Sequence, residues 1–268
     1  MNSATWKRQL WLVLNSLVVF ACLLGFWQGA VLVLKVPAYM LPGPRVVLDA
    51  VVQMFPSLLA SFALTAETAA LGLAASIVVG IGVALVFAQW RWLRRLLFPY
   101  TILLQTVPIV AVAPLIVMWV GNGIVSVAFV AFVICLPPII ANTTQGLVSV
   151  EENLIHLFLM HKATPAQILF KLRLPHATPG IFVGVRISAG ISVVGAITGE
   201  LFAGSARVGQ GGLGYSILYA SNQLETDYLF ALVAAATVLG FSFFFIGMFL
   251  EWYFLHNWHE SSRSEMAD

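Results

Sequence analysis

At 268 residues, with 60% hydrophobic side chains, 9% charged ones and a mean hydropathy of +0.96, the chain has too few charges to surround a soluble core. It reads as an all-α integral membrane protein with one transmembrane domain over residues 1–268. A formal net charge of +2, with the basic residues scattered among loops, excludes a nucleic-acid surface, which needs them gathered in one stripe.

A membrane crossing takes about 20 apolar residues. In chain order, six stretches predict spans: 11–34, 66–90, 100–120, 125–147, 181–201 and 228–252. Lys7 and Arg8 precede the first, but its apolar run is too long for a signal segment and no small-residue cleavage site follows it. Cys22, within it, and Cys135, within the fourth, read as small hydrophobes rather than as a disulfide or metal site. After the first span, Leu41-Pro42-Gly43-Pro44 predicts a turn, and the mixed run to Phe55 predicts a helix lying in the membrane interface. The third and fourth spans are joined only by Gly121-Asn122-Gly123-Ile124, which makes them an antiparallel hairpin.

Lys and Arg set the orientation. With both termini inside, the inner loops hold Lys7, Arg8, Arg91, Arg94, Arg95, Lys162, Lys171, Arg173 and Arg263, against only Lys35, Arg45 and Arg207 outside. Trp6, Trp11, Trp27, Trp90, Trp92, Trp119, Trp252 and Trp258 fall near span ends, as interfacial belts require. The second outer loop, 203–227, is glycine-rich. Gly209, Gly211 and Gly214 formally match a dinucleotide fingerprint, which is rejected because that motif needs a preceding strand. A flexible or tightly turned external loop fits better, with Gly212, Gly214 and Tyr215 as candidates for contact with an external protein or for roofing a pathway, against the alternative of a mobile, solvated connector.

The inner loop, 148–180, is the polar interruption of the chain. Thr164-Pro165-Ala166-Gln167 predicts a helix start: Thr164 as N-cap, Pro165 at the first helical position, Gln167 completing a capping box. The short helix is expected to run through Leu172 and to end at Pro175, since proline lacks the N–H that a helix needs. A short capped helix in a basic loop offers a rigid knob to a soluble partner.

Charge is costly near or within spans, and Glu67, Arg186 and Glu200 are the ionisable residues read there as needing a partner or water. Arg186 and Glu200 lie about 21 Å apart along one helix and cannot pair, so each is expected to find another partner or water. Asn142, Thr143, Thr144 and Gln145 close the fourth span with a polar cluster, readable as helix–helix hydrogen bonding or as part of a pathway or dimer contact. Pro108, Pro114, Pro137 and Pro138 interrupt the third and fourth spans, which fits either packed kinks or a translocation path. No phosphate-binding loop, metalloprotease motif, nucleophile elbow or carboxylate pair is present, and His156, His161 and His176 are irregularly spaced, so neither catalytic residues nor a metal site are expected.

The inner loop resembles the cytoplasmic signature of membrane subunits of bacterial binding-protein-dependent ABC importers: Glu-Ala-Ala, three residues, Gly, nine residues, Ile, one residue, Leu-Pro. Anchored on Leu174-Pro175, it places Leu172 at the Ile position, Lys162 at the Gly position and His156-Leu157-Phe158 at Glu-Ala-Ala, so the first half is degenerate and the glycine of the sharp turn is missing. Leu41-Pro42-Gly43-Pro44, Pro108 with Ala113-Pro114-Leu115, Met118 to Gly123, Asn142-Thr143 with Gly146, Gly184-Val185-Arg186-Ile187, Gly199-Glu200 and Gly212-Leu213-Gly214-Tyr215 resemble further stretches of that family in order. They are similar to the branch handling nitrate, sulfonates, taurine, bicarbonate or thiamine and riboflavin precursors.

The resemblance implies a type I ABC importer permease in the bacterial cell (inner) membrane. Two copies would form one pathway, two cytoplasmic ATPases would bind the ATP and Mg, and a periplasmic or lipid-anchored binding protein would deliver solute. In that reading His156, Lys162, Thr164, Pro165, Ala166, Gln167, Leu172, Leu174 and Pro175 form the ATPase-docking loop, while Asn142, Thr143, Arg186 and Glu200 serve the pathway or the dimer. A secondary transporter should instead show inverted repeats with broken mid-membrane helices, and an integral-membrane enzyme clustered His or carboxylates near one interface; neither pattern is evident.

Overall fold

The computed structural model describes residues 3–204 and 211–255, and every regular element among them is helical. In chain order these are α1 (Ser3–Val33), α2 (Pro44–Gln53), α3 (Phe55–Gln89), α4 (Arg91–Leu104), α5 (Ile109–Val120), α6 (Ile124–Val148), α7 (Glu152–Met160), α8 (Pro165–Ile168), a π-helical turn over Leu169–Arg173, α9 (Leu174–Ala203), α10 (Leu213–Gln223) and α11 (Thr226–Leu255). Four helical runs are long and apolar enough to cross a membrane: Phe55–Gln89, Ile124–Val148, Pro165–Ala203 and Thr226–Leu255. The α4–α5 pair makes a fifth if counted as one broken span.

The expected third span, 100–120, is not one straight helix. α4 and α5 meet at 101° across a break of a few residues. Pro108 is the cause: it has no N–H to donate and disfavours helical geometry at Val107, so the chain leaves the helix there and restarts at Ile109 with Pro108 as N-cap. Pro137 and Pro138 lie inside an unbroken α6. The second span begins earlier than its hydropathy suggests, because α3 starts at Phe55, one residue after α2 ends in the cap at Met54.

Packing centres on α6 and α9, with α3 against the other side of α6 and α11 against α9. Small residues set the spacing. Gly146, Gly180, Gly184, Gly195 and Gly199 lie where an added Cβ would press on the backbone or side chains of the facing helix, so α6 and α9 approach nearly backbone to backbone. Gly72 and Gly80 do the same for α3 on α6. In lipid, where apolar side chains gain little by leaving their surroundings, this close van der Waals contact is what holds helices together. α1 meets the bundle at its C-terminal end, where Trp27 packs on Phe230 of α11 with ring centres 5.8 Å apart.

Candidate functional site

The loop between α6 and α9 is a compact helical hairpin. α8 opens with the expected capping box: the Thr164 N–H donates to Gln167 Oε1 at 2.8 Å and the Gln167 N–H donates to Thr164 Oγ1 at 3.3 Å. α7 ends in a Schellman turn, in which the Ala163 N–H donates to the Phe158 carbonyl at 3.0 Å and the Lys162 N–H to the Leu159 carbonyl at 2.9 Å. Lys162 takes φ = 56° to close it, so the sharp turn is made without the glycine of the signature.

The expected helix end at Pro175 does not occur. Helix continues from Pro165 to Ala203, because the π turn widens the backbone immediately before the proline: the Leu174 N–H donates five residues back to Leu169, and Pro175 then sits in the first turn of α9, where a missing N–H costs little. Leu169 anchors this hairpin, buried against Leu147, Ala177, Ala84 and Ala88, and Ile168 beside it is buried as well. On its outside His156, Lys162, Thr164, Pro165, Ala166 and Gln167 are exposed, whereas Leu172, Leu174 and Pro175 are half-buried towards the bundle. Apolar surface is exposed there as well, with Met160 82% and Phe170 58% accessible.

At the α4–α5 elbow lies a cavity of about 400 Å³, walled by Val112 of α5, Val133, Ile134 and Pro138 of α6, and Ile187 and Ile191 of α9; Gln105 is its one polar side chain. Directly before Ile187 in α9, Arg186 pairs with Glu251 of α11 at 2.8 Å, the side chains 33% and 20% accessible. Asn142 turns its amide back on the Pro138 carbonyl at 2.8 Å. Thr143, a pathway or dimer candidate from sequence, is wholly enclosed within the subunit, as expected on the tightly packed side of α6.

At the opposite end of α9, Glu200 is 4% accessible and clamps the start of α10. Its Oε2 accepts from the Gly214 N–H at 2.8 Å and from Thr65 Oγ1 of α3 at 3.0 Å, while the Leu213 N–H donates to Thr65 Oγ1 at 2.8 Å. The carboxylate thus accepts the Gly214 N–H in the first turn of α10, and Thr65 accepts that of Leu213 beside it. Gly212 and Gly214 are required by this closeness: a Cβ on Gly212 would meet the Glu200 carboxylate, and one on Gly214 the Ile197 carbonyl. Tyr215 stacks on Tyr219 at 6.3 Å. The described part of 203–227 thus contains a packed helix, α10; Arg207 and Gly209 lie outside the described residues.

Sequence reasoning missed Glu251, Thr65 and Gln105. Glu251 had a signal, a carboxylate at the end of a hydrophobic run, but Thr65 and Gln105 are ordinary until the fold brings them to Glu200 and the elbow. The site therefore comprises an anchored helical hairpin, a broken-helix cavity and the clamped helix α10, all joined by α9.

Residues 76–254 match the family described as binding-protein-dependent transport system inner membrane component. The riboflavin transport system permease protein RibX of Chloroflexus aurantiacus is 33% identical over 247 residues, 91% of this chain and 90% of that protein. The formylaminopyrimidine transport permease protein ThiX of Halalkalibacterium halodurans is 29% identical over 228 residues, covering 85% and 89%. The taurine transport system permease protein TauC of Escherichia coli is 29% identical over 242 residues, covering 88% and 85%. In fold, the chain is similar to a chain of the inward-facing MetNI methionine ABC transporter, with a TM-score of 0.61 at 21% identity over 74% of this chain and 96% of that one. This chain belongs to the binding-protein-dependent transport system inner membrane component family, the permease subunits of ABC importers.

Proposed function

We propose that this importer permease works as one of two identical copies around a shared pathway. In this reading it crosses the membrane six times with both termini in the cytoplasm, and carries a small polar solute of the range its relatives' names span, from riboflavin and formylaminopyrimidine to taurine. ATP and Mg are bound by two separate ATPases, and an external binding protein delivers the solute. The supporting observation is the exposed hairpin of α7 and α8. It is rigid, capped and anchored, yet leaves Met160 and Phe170 uncovered, and exposed apolar surface on a fixed element marks a protein contact.

The unbroken run from Pro165 to Ala203 supplies the mechanics. A push on α8 passes through the π turn into α9, the helix that supplies Ile187 and Ile191 to the elbow cavity and holds α10 through Glu200 at its far end. A rigid-body displacement by the ATPase thus reaches both the cavity and the outer helix without a hinge between them. Arg186 and Glu200 act in this reading as the fixed points of α9 on α11 and α10.

The test is ATP-driven uptake in proteoliposomes containing the permease, its ATPase and its binding protein, screened with vitamin precursors and small anions. Ala166→Arg or Gln167→Trp is expected to lower ATPase association and cut uptake at least tenfold, with membrane insertion unchanged. Wild-type uptake and ATPase association in both variants would overturn the docking assignment.

A further inference from the structure

A second cavity, about 420 Å³, opens where the C-terminus of α3, the N-terminus of α4, the α6–α7 joint and the π turn meet. Arg91, Arg94, Arg173 and His156 line it, against a single carboxylate among the described residues, Glu152. No ion pair within 4 Å joins Glu152 to any of them among the described residues. Arg173 is fixed in the wall: its Nη1 donates to the Ala88 carbonyl at 2.7 Å, capping the last turn of α3, while its Nε is buried and without an acceptor among the described residues.

Three guanidiniums facing one cavity repel one another, and arginine cannot relieve this by losing its proton. Buried donors left without acceptors add to the cost. A ligand with negative charge and several acceptor oxygens removes both penalties at once, and the planar guanidinium fork matches a phosphate group. Exposed Trp90 and Trp92 flank Arg91, which sets this opening at the level of lipid headgroups. Basic pockets between membrane helices on the cytoplasmic side are suited to acidic headgroups.

We propose that this cavity is a binding site for the phosphate of an anionic phospholipid, which bridges α4 to the hairpin of α7 and the π turn. Inorganic phosphate has the same chemistry but no acyl chains to hold it at the Trp90–Trp92 level. The lipid would then fix the base of the hairpin against the membrane domain. Binding requires neither the ATPase nor a solute, so its test stands apart from the transport reading.

The full-length chain is purified in detergent and titrated with phosphatidylglycerol or phosphatidylcholine, and bound lipid is counted by native mass spectrometry. Wild type is expected to retain phosphatidylglycerol in preference to phosphatidylcholine, and Arg91→Gln with Arg94→Gln to weaken it by about fivefold for each arginine removed. Glu152→Gln, which removes the one carboxylate lining the cavity among the described residues while leaving every arginine in place, is expected to tighten it, so the proposal stays testable if the arginine variant fails to fold. Millimolar inorganic phosphate should not displace the lipid. Equal binding of both lipids, or no change in either variant, overturns the site; displacement by inorganic phosphate overturns the lipid as its occupant. If adding the cognate ATPase strips the lipid from wild type, the pocket is a seat for an acidic side chain of that partner and the lipid assignment fails.

Discussion

Lys162 stands where the family signature has glycine, and its backbone adopts φ = 56°, the left-handed conformation that glycine takes freely. A side chain in that region costs about 1–2 kcal/mol, which here is offset by the two Schellman hydrogen bonds that close α7. The hairpin survives a degenerate signature because the turn is held by the backbone and by Ile168 and Leu169 below it, not by the one residue type that would make it cheap. Lys162→Gly is therefore expected to raise stability by up to about 1 kcal/mol, the gain reduced by the larger entropy of glycine in the unfolded chain. Thermal unfolding of the purified subunit measures this. A lower midpoint for the glycine variant would show that the Lys162 side chain contributes more than its backbone strain costs.

α9 is tied to other helices through a carboxylate at two points, in different ways. Near its middle, Arg186 and Glu251 neutralise each other in a partly exposed position; near its C-terminal end, Glu200 has no cation beside it among the described residues and is held by Thr65 and by the Gly214 N–H of α10. Glu200→Ala leaves the Gly214 N–H without its acceptor at a cost of about 1–3 kcal/mol, and α10 should detach. Glu200→Gln keeps an acceptor oxygen for Gly214 and Thr65 and should hold it. Hydrogen exchange of the 213–223 amides reads the difference: fast exchange in the alanine variant and near-native protection in the glutamine variant are expected. Equal protection in both would mean that Leu213 and Ala220, buried among α9 and α11, hold α10 without the carboxylate.

For the molecule as a whole, the exposed face of α3 shows what one subunit leaves uncovered. Glu67 lies about 18 Å along that helix, exposed, on the side opposite Thr65, Gly72 and Ser76, which pack inwards. A carboxylate at this depth needs protein or water beside it, so this face is expected to meet a second copy or an aqueous path. In a Cys22→Ser background, which removes the exposed native thiol, Glu67→Cys should react with a membrane-impermeant maleimide or cross-link between copies. Reaction with lipid-soluble reagent alone, and no cross-link, would place the residue against lipid.

Much of this protein is legible in its residues taken singly and in short runs. Hydropathy suffices for a helical membrane protein, since a backbone in lipid must satisfy its own hydrogen bonds; the capping box at Thr164 and Gln167 is legible because its partners lie three residues apart. Glu200 and Arg186 announce that they need partners, because charge in an apolar run is costly. What the residues in order do not contain is the outcome of distance. That Thr65, 135 positions away, completes the Glu200 clamp, that Glu251 takes Arg186, and that Arg91 and Arg94 of α4 share one cavity with Arg173 of the π turn are results of tertiary packing. Proline was ambiguous for the same reason. Pro108 breaks its helix into a 101° elbow while Pro175 is carried through by a π turn, and tertiary contacts decide whether the freed backbone groups are met by protein or left to a cavity.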